Sequence, residues 1–241
     1  MKWLKLLILP LAGVILTGCL YPDSELKKNE PTNQEQLDSV QQAVEQYQEQ
    51  ESGLLPIKTR DEDTPDFIKY QLDFNSLRER GLMGESPGNS FENGGYYQYV
   101  IIRPDDDPTV KIVDLRMAES LRSLQLKVDF YEDENKYPPL KDKIAKNVYD
   151  VKHEEMGLDS PPTVDSPYSE KSLPVYINER GELLVDYRKE LYDLMRKEDH
   201  SYEEGDDIRY LLTDHTPFAP AHSPAYTIEE GEPVFMTEPP S

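Results

Sequence analysis

Two eleven-residue segments place apolar side chains at one and the same spacing: Leu37–Tyr47 (LDSVQQAVEQY) and Leu121–Tyr131 (LRSLQLKVDFY). Leu37, Val40, Val44 and Tyr47 are separated by 3, 4 and 3 residues, as are Leu121, Leu124, Val128 and Tyr131. That period puts each set on one face of a helix. Both helices run out in the same way, through Ser52-Gly53 before Pro56 and through Asn135 before Pro138-Pro139. Glycine or asparagine suits the left-handed residue that ends a helix, and a proline just beyond prevents continuation.

The segments beyond the two helices correspond as well. Gly81-Leu82-Met83-Gly84-Glu85-Ser86-Pro87 parallels Met156-Gly157-Leu158-Asp159-Ser160-Pro161. A strand pair comes next: Tyr96–Ile102 turning at Pro104–Pro108 into Val110–Leu115, and Leu173–Ile177 turning at Asn178–Gly181 into Leu183–Tyr187. Alternating β-branched and aromatic residues about a glycine or proline turn are hairpin signals. The return strands end alike, as Val113-Asp114-Leu115-Arg116 and Val185-Asp186-Tyr187-Arg188. The expected fold class is therefore α+β, a tandem duplication of a small unit in which one amphipathic helix packs on an antiparallel β-hairpin or sheet. The units are expected over 37–116 and 117–198, packed together because about 80 residues make a marginal core.

The flanks read differently. Residues 19–36, with Pro22 and Pro31 and no apolar period, are expected to form a flexible tether. Residues 199–241 form an acidic, Pro-rich C-terminal extension. Ile208-Arg209-Tyr210-Leu211-Leu212 could add a strand or helical turn to the second unit, and an extended arm is expected beyond it. Acidic side chains number 48 against 26 basic, a formal charge of −22. Such a surface repels phosphates, so nucleic acid is not an expected partner. A single cysteine excludes internal disulfides and thiolate metal sites.

That cysteine closes the tetrad Leu16-Thr17-Gly18-Cys19, behind Lys2, Lys5 and an apolar run from Leu6 to Leu16. A charged start, a short apolar core and small residues at its end make a secretory signal. The run falls short of the roughly 20 apolar residues of a membrane-spanning helix. The tetrad resembles the lipobox of bacterial lipoproteins. The resemblance implies cleavage between Gly18 and Cys19, loss of residues 1–18, and a diacylglyceryl group on the Cys19 sulfur. Two acyl chains anchor stably where one does not. The expected location is the outer face of the cell membrane, with lipid on Cys19 as the only link to the bilayer.

The order of helix, loop and hairpin resembles the globular part of type II secretion pseudopilins. The resemblance is carried by Val128-x-x-Tyr131-x-x-x-Asn135-x-Tyr137-Pro138, by Ser166-Pro167-Tyr168 with Val175-Tyr176, and by Ser86-Pro87-Gly88-Asn89 with Tyr97-Gln98-Tyr99. It implies a helix lying across a small antiparallel sheet. The chain departs from that family in lacking a prepilin processing site and a long apolar N-terminal helix. The whole pattern of lipobox, two units and acidic tail also resembles uncharacterised lipoproteins of spore-forming Gram-positive bacteria, which implies the cell envelope and a link with sporulation.

Four groups of residues invite chemistry. Gly84-Glu85-Ser86-Pro87-Gly88 fits the G-x-S-x-G nucleophile elbow, but Pro87 lacks the N–H that forms half of an oxyanion hole. A turn is expected instead. Asp105-Asp106-Asp107 could hold calcium, yet lacks the glycine and distal glutamate of an EF-hand loop, so a solvated turn is expected. His200, His215 and His222 lie near Asp199, Asp206, Asp207 and Asp214 without the i, i+4 spacing of a helical zinc site. His153 is expected on the surface. Tyr97 and Tyr99 alternate onto the core face of a strand, with Tyr96 facing out. No catalytic residue, metal ligand or cofactor is expected. The first functional expectation is a non-enzymatic envelope lipoprotein that binds extracytoplasmic proteins. The alternative is a lipoprotein that captures a cation or small solute.

Overall fold

The computed structural model describes residues 24–58, 60–62 and 64–237. The described chain is α+β with antiparallel sheets. Helix α1 (Ser24–Gln50) leads into two short helices, α2 (Asp66–Lys69) and α3 (Phe74–Glu79), and then the hairpin β1 (Tyr97–Ile102) and β2 (Thr109–Asp114). Helix α4 (Leu115–Asn135) continues from β2 without a linker. Beyond it come β3 (Leu140–Ala145), β4 (Val148–Val151), β5 (Thr163–Asp165), β6 (Ser172–Ile177) and β7 (Leu183–Val185). Helices α5 (Arg188–Lys197) and α6 (Arg209–His215) and a last hairpin, β8 (Tyr226–Glu229) and β9 (Glu232–Phe235), complete the chain.

Both apolar stripes do what their spacing requires. Leu37, Val40 and Val44 of α1 are buried against Tyr97, Tyr99, Ile101, Val110 and Ile112 of the first hairpin. Leu121, Leu124 and Val128 of α4 are buried with Leu173, Val175, Ile177, Leu183 and Val185 of the second sheet. Each buried aliphatic side chain contributes about 1.5–3 kcal/mol. A polar clamp recurs at equivalent helix positions. Gln41 accepts from the N–H of Val110 at 2.8 Å and donates to the carbonyl of Pro108 at 3.1 Å, at the first hairpin turn. Gln125 donates to the carbonyl of Gly181 at 2.9 Å, at the second. Gly81 and Gly157 share a left-handed φ of +68°, and each lies in a loop closed by a main-chain bond spanning five residues. Those bonds run from Leu82 N–H to Leu77 carbonyl (3.0 Å) and from Leu158 N–H to His153 carbonyl (2.9 Å).

An aspartate–arginine device starts three helices. The carboxylates of Asp114, Asp186 and Asp207 each accept from the backbone N–H two residues on, at 2.9, 3.0 and 3.1 Å. The same residue's guanidinium folds back onto the carboxylate through Nε and a terminal nitrogen. The carboxylate satisfies an orphan N–H of the first helical turn, worth about 0.5–2 kcal/mol. The guanidinium then lies over an aromatic ring: Arg116 over Tyr96 and Tyr97, Arg188 over Phe235 and Arg209 over Phe67. Two of these units fall in the repeated strand ends. The third, Asp207-Ile208-Arg209, opens α6.

Three expectations are corrected. The segment expected as a flexible tether up to residue 36 is helical from Ser24, because α1 extends N-terminally through residues rich in the helix formers Glu, Lys and Gln. The second sheet is larger than one hairpin: β6 pairs antiparallel with β4, β5 and β7, and β3 pairs with β4. The C-terminal extension is no extended arm. Ile208, Leu211, Leu212, Tyr226 and Phe235 are buried in the second core, and Phe218 in the first.

Between them, residues 217–222 form a strap joining the two units. On one side Ile112 donates to the carbonyl of Pro217 (3.0 Å) and accepts from Ala219 (2.9 Å), which adds the strap in parallel to the free edge of β2. On the other side Val185 of β7 donates to the carbonyl of His222 at 2.9 Å. The buried Tyr187 hydroxyl donates to the carbonyl of Ala221 at 2.9 Å. Tyr168 packs edge-on against both Tyr187 and Phe218.

His222 has a backbone φ of +57° and its imidazole is partly buried, so loss of water holds its pKa below the ordinary 6.5. A histidine whose folded value is depressed contributes stability that is complete above the unfolded pKa and is lost as pH falls through the folded one. Denaturant unfolding between pH 7.5 and 5 is expected to show a steeper loss in the parent than in His222→Asn, which does not titrate and tolerates the left-handed backbone. Equal pH slopes would remove His222 from the acid response.

Candidate interaction surface

Gly18 and Cys19, the expected cleavage and lipidation positions, lie outside the described residues. Ser86 lies in the loop between α3 and β1, its side chain buried and its carbonyl accepting from Asn93 at 3.1 Å. A helix, not a strand, precedes that loop, and only a single 3-10 turn, Phe91–Asn93, follows Ser86 before β1, so the strand–turn–helix geometry of a nucleophile elbow is missing there. The loop is held instead by a polar relay. Tyr99 donates its hydroxyl to Asn89 at 2.7 Å, and Asn89 donates to Asn33 of α1 at 2.8 Å. Gly95 seals it: an added Cβ would fall 2.1 Å from the Asn89 carbonyl oxygen.

Asp105, Asp106 and Asp107 form the solvated turn of the first hairpin, where the N–H groups of Asp106 and Asp107 donate to the carbonyl of Arg103. The histidines do not converge. His200 stacks beside Tyr202, His215 stands 3.8 Å from Glu198, and His222 belongs to the strap. Among the described residues no three His, Cys, Asp or Glu side chains are placed to share a metal ion. His153, expected at the surface, is buried. It takes the place in its loop that buried Leu77 takes in the other, at the acceptor end of the closing bond. Tyr97 and Tyr99 share one buried face of β1, as strand alternation requires, and Tyr96, in the bend just before the strand, is exposed.

Two surface features stand out once these are placed. A cleft of about 290 Å³ lies between α2, the first hairpin turn and α6. Its walls include Phe67, Tyr70 and Tyr210, and its rim the carboxylates of Asp66, Asp105 and Asp106. Arg103, at its side, is engaged by Asp214 at 2.8 Å and lies over Tyr210, while Tyr202 donates to the other Asp214 oxygen at 2.7 Å. Burial raises the Tyr210 hydroxyl above its ordinary pKa, with the charges of Asp207 and Asp66 adding to the shift. The cleft is thus electronegative and aromatic.

The other feature is the outer face of α4. Leu126 and Phe130, one turn apart, are 63% and 66% exposed on the side of the helix opposite its buried stripe. Charged residues flank them, Glu119 and Arg122 toward the N-terminus and Asp133 toward the C-terminus, all exposed. The sequence carries a sign of this pair: both fall out of phase with the 3, 4, 3 positions of LRSLQLKVDFY, so a single buried stripe cannot account for them.

Residues 33–114 match the YphF family N-terminal domain. The matched span opens at Asn33, the last member of the polar relay, and closes at Asp114, the carboxylate that starts α4. No curated protein and no solved structure matches the chain. Among the described residues no helix is long and apolar enough to cross a membrane.

Proposed function

We propose that this chain is a non-enzymatic lipoprotein of the bacterial cell envelope, held at the outer face of the membrane by lipid on Cys19 and binding other extracytoplasmic proteins. The observation that carries the reading is the tetrad Leu16-Thr17-Gly18-Cys19 behind a short apolar run with a basic start. The charge of −22 supports it, since an acidic body is repelled by anionic lipid heads and a covalent lipid would be its hold on the bilayer. Apolar side chains presented on α4 supply a contact surface for proteins. Recurrence of the glutamine clamp, the left-handed glycine and the aspartate–arginine start supports two copies of one ancestral, pseudopilin-like unit. A role in sporulation rests on the resemblance of the whole pattern alone.

The anchor is tested by fractionation. The parent is expected in the membrane fraction with an acyl mass on its first mature residue, and Cys19→Ser in the soluble or secreted fraction. Retention of the variant in the membrane would contradict the anchor.

The cleft beside Asp105 and Asp106 favours a second reading, capture of a small organic cation. Carboxylates supply charge and ring faces add about 0.5–2 kcal/mol per cation–π contact. Calorimetric titration with tetramethylammonium is expected to saturate, with binding about tenfold weaker in Asp105→Asn/Asp106→Asn. A titration without saturable heat would dispose of this reading.

A further inference from the structure

We infer that the outer face of α4 is a self-association surface, on which two copies of this chain pair antiparallel about a two-fold axis crossing the helix near Val128. The inference goes beyond the envelope-lipoprotein reading and does not depend on the anchor.

An exposed pair of apolar residues is ordinary by itself. What distinguishes this one is the order of the charges around it. Along the face stand Glu119, Arg122, Leu126, Phe130 and Asp133, with Lys136 at the helix end, all exposed. Residues three and four apart share one stripe of a helix. Antiparallel pairing about the stated axis sets Leu126 against Phe130 of the second copy, Arg122 against Asp133, and Glu119 against Lys136. Each contact occurs twice, as a two-fold interface demands. Every charged contact then joins opposite signs. Parallel pairing would set Arg122 against Arg122 and Asp133 against Asp133, so the charges choose the direction as well as the partner.

Helix α1 supplies an internal control. Its equivalent positions, found by matching Leu37 to Leu121, are Glu35, Asp38, Gln42, Gln46 and Glu49, all exposed. That face has neither an apolar centre nor a basic end. It is what a merely solvated helix face of this acidic chain looks like, and two copies of it would repel. On α4 the glutamines are replaced by Leu126 and Phe130, and Asp38 by Arg122. Arg122 can change partner readily, because the carboxylate of Glu119 stands 4.0 Å away with both side chains more than 70% exposed. Repulsion between the two acidic bodies decays over about 8 Å at physiological salt, so it does not forbid the contact there.

Sedimentation of the full chain in mild detergent at about 0.15 M salt tests the pairing. The parent is expected to show a monomer–dimer equilibrium. Arg122→Glu and Asp133→Lys are each expected to weaken it at least tenfold, and Leu126→Ser/Phe130→Ser to leave monomer alone. The combination Arg122→Glu/Asp133→Lys restores the opposite-sign contacts and is expected to return the dimer to within about threefold of the parent. All four positions are exposed, and unchanged circular dichroism will show that the variants fold. A monomeric parent, or a double charge variant as weak as its single components, would overturn the proposal.

Discussion

Six residues, from Pro217 to His222, hold the molecule together. Their main chain bonds Ile112 on one side and Val185 on the other, and the Tyr187 hydroxyl bonds Ala221 between those points. A two-stranded hairpin alone is marginal in water, and β1–β2 has only two strands. Its edges are satisfied by borrowed main chain. Residues 70–72 bridge to β1, with Leu72 donating to Tyr99 and Ile101 to Tyr70, and the strap adds along β2. The first unit is therefore completed by a segment more than a hundred residues away in sequence. The second unit is closed by the same excursion, since Ile208 donates to Tyr226 and the Tyr226 hydroxyl to the carbonyl of Val185. Buried polar groups cost about 1–3 kcal/mol each when left unpaired, so loss of the strap would expose faults in both sheets at once.

Within that frame the two halves solve one problem in one way and differ elsewhere. A helix lies across a hairpin, a glutamine from the helix pins the turn, and an aspartate at the end of the return strand starts the next helix. The differences are concentrated where packing does not decide the residue. The outer face of α1 is acidic and polar from Glu35 to Glu49, whereas that of α4 is apolar at its centre and mixed in charge. The sheet differs too, because the second unit adds β3, β4 and β5.

Much of this is legible in the sequence, and the failures have physical causes. The 3, 4, 3 stripes predict the burial of Leu37, Val40 and Val44 in α1, where Tyr47 is half-buried, and of Leu121, Leu124, Val128 and Tyr131 in α4, and strand alternation puts Tyr97 and Tyr99 on one buried face. Strand β3, Leu-Lys-Asp-Lys-Ile-Ala, escapes because it is an edge strand whose central side chains are exposed, so no burial pattern marks it. Composition alone misjudges the C-terminal region. Pro217, Pro220 and Pro224 lie between elements, and the apolar residues there are spread among acids yet converge in space. Asp207-Ile208-Arg209 repeats the signature at Asp114 and Asp186, and is the local sign that a helix begins there. His153 misleads for the opposite reason: charged neighbours suggest exposure, while the loop closure that buries it shows only in the fold.

The central claim is that the strap makes one cooperative body of two helix-on-hairpin units. Native-state hydrogen exchange measures it directly, amide by amide. The N–H groups of Ile112, Val185 and Ala219 are predicted to exchange with the same opening free energy and the same denaturant dependence as the innermost amides of both sheets. Fast, denaturant-independent exchange at Ala219 and Val185, with the β1–β2 amides still fully protected, would contradict it.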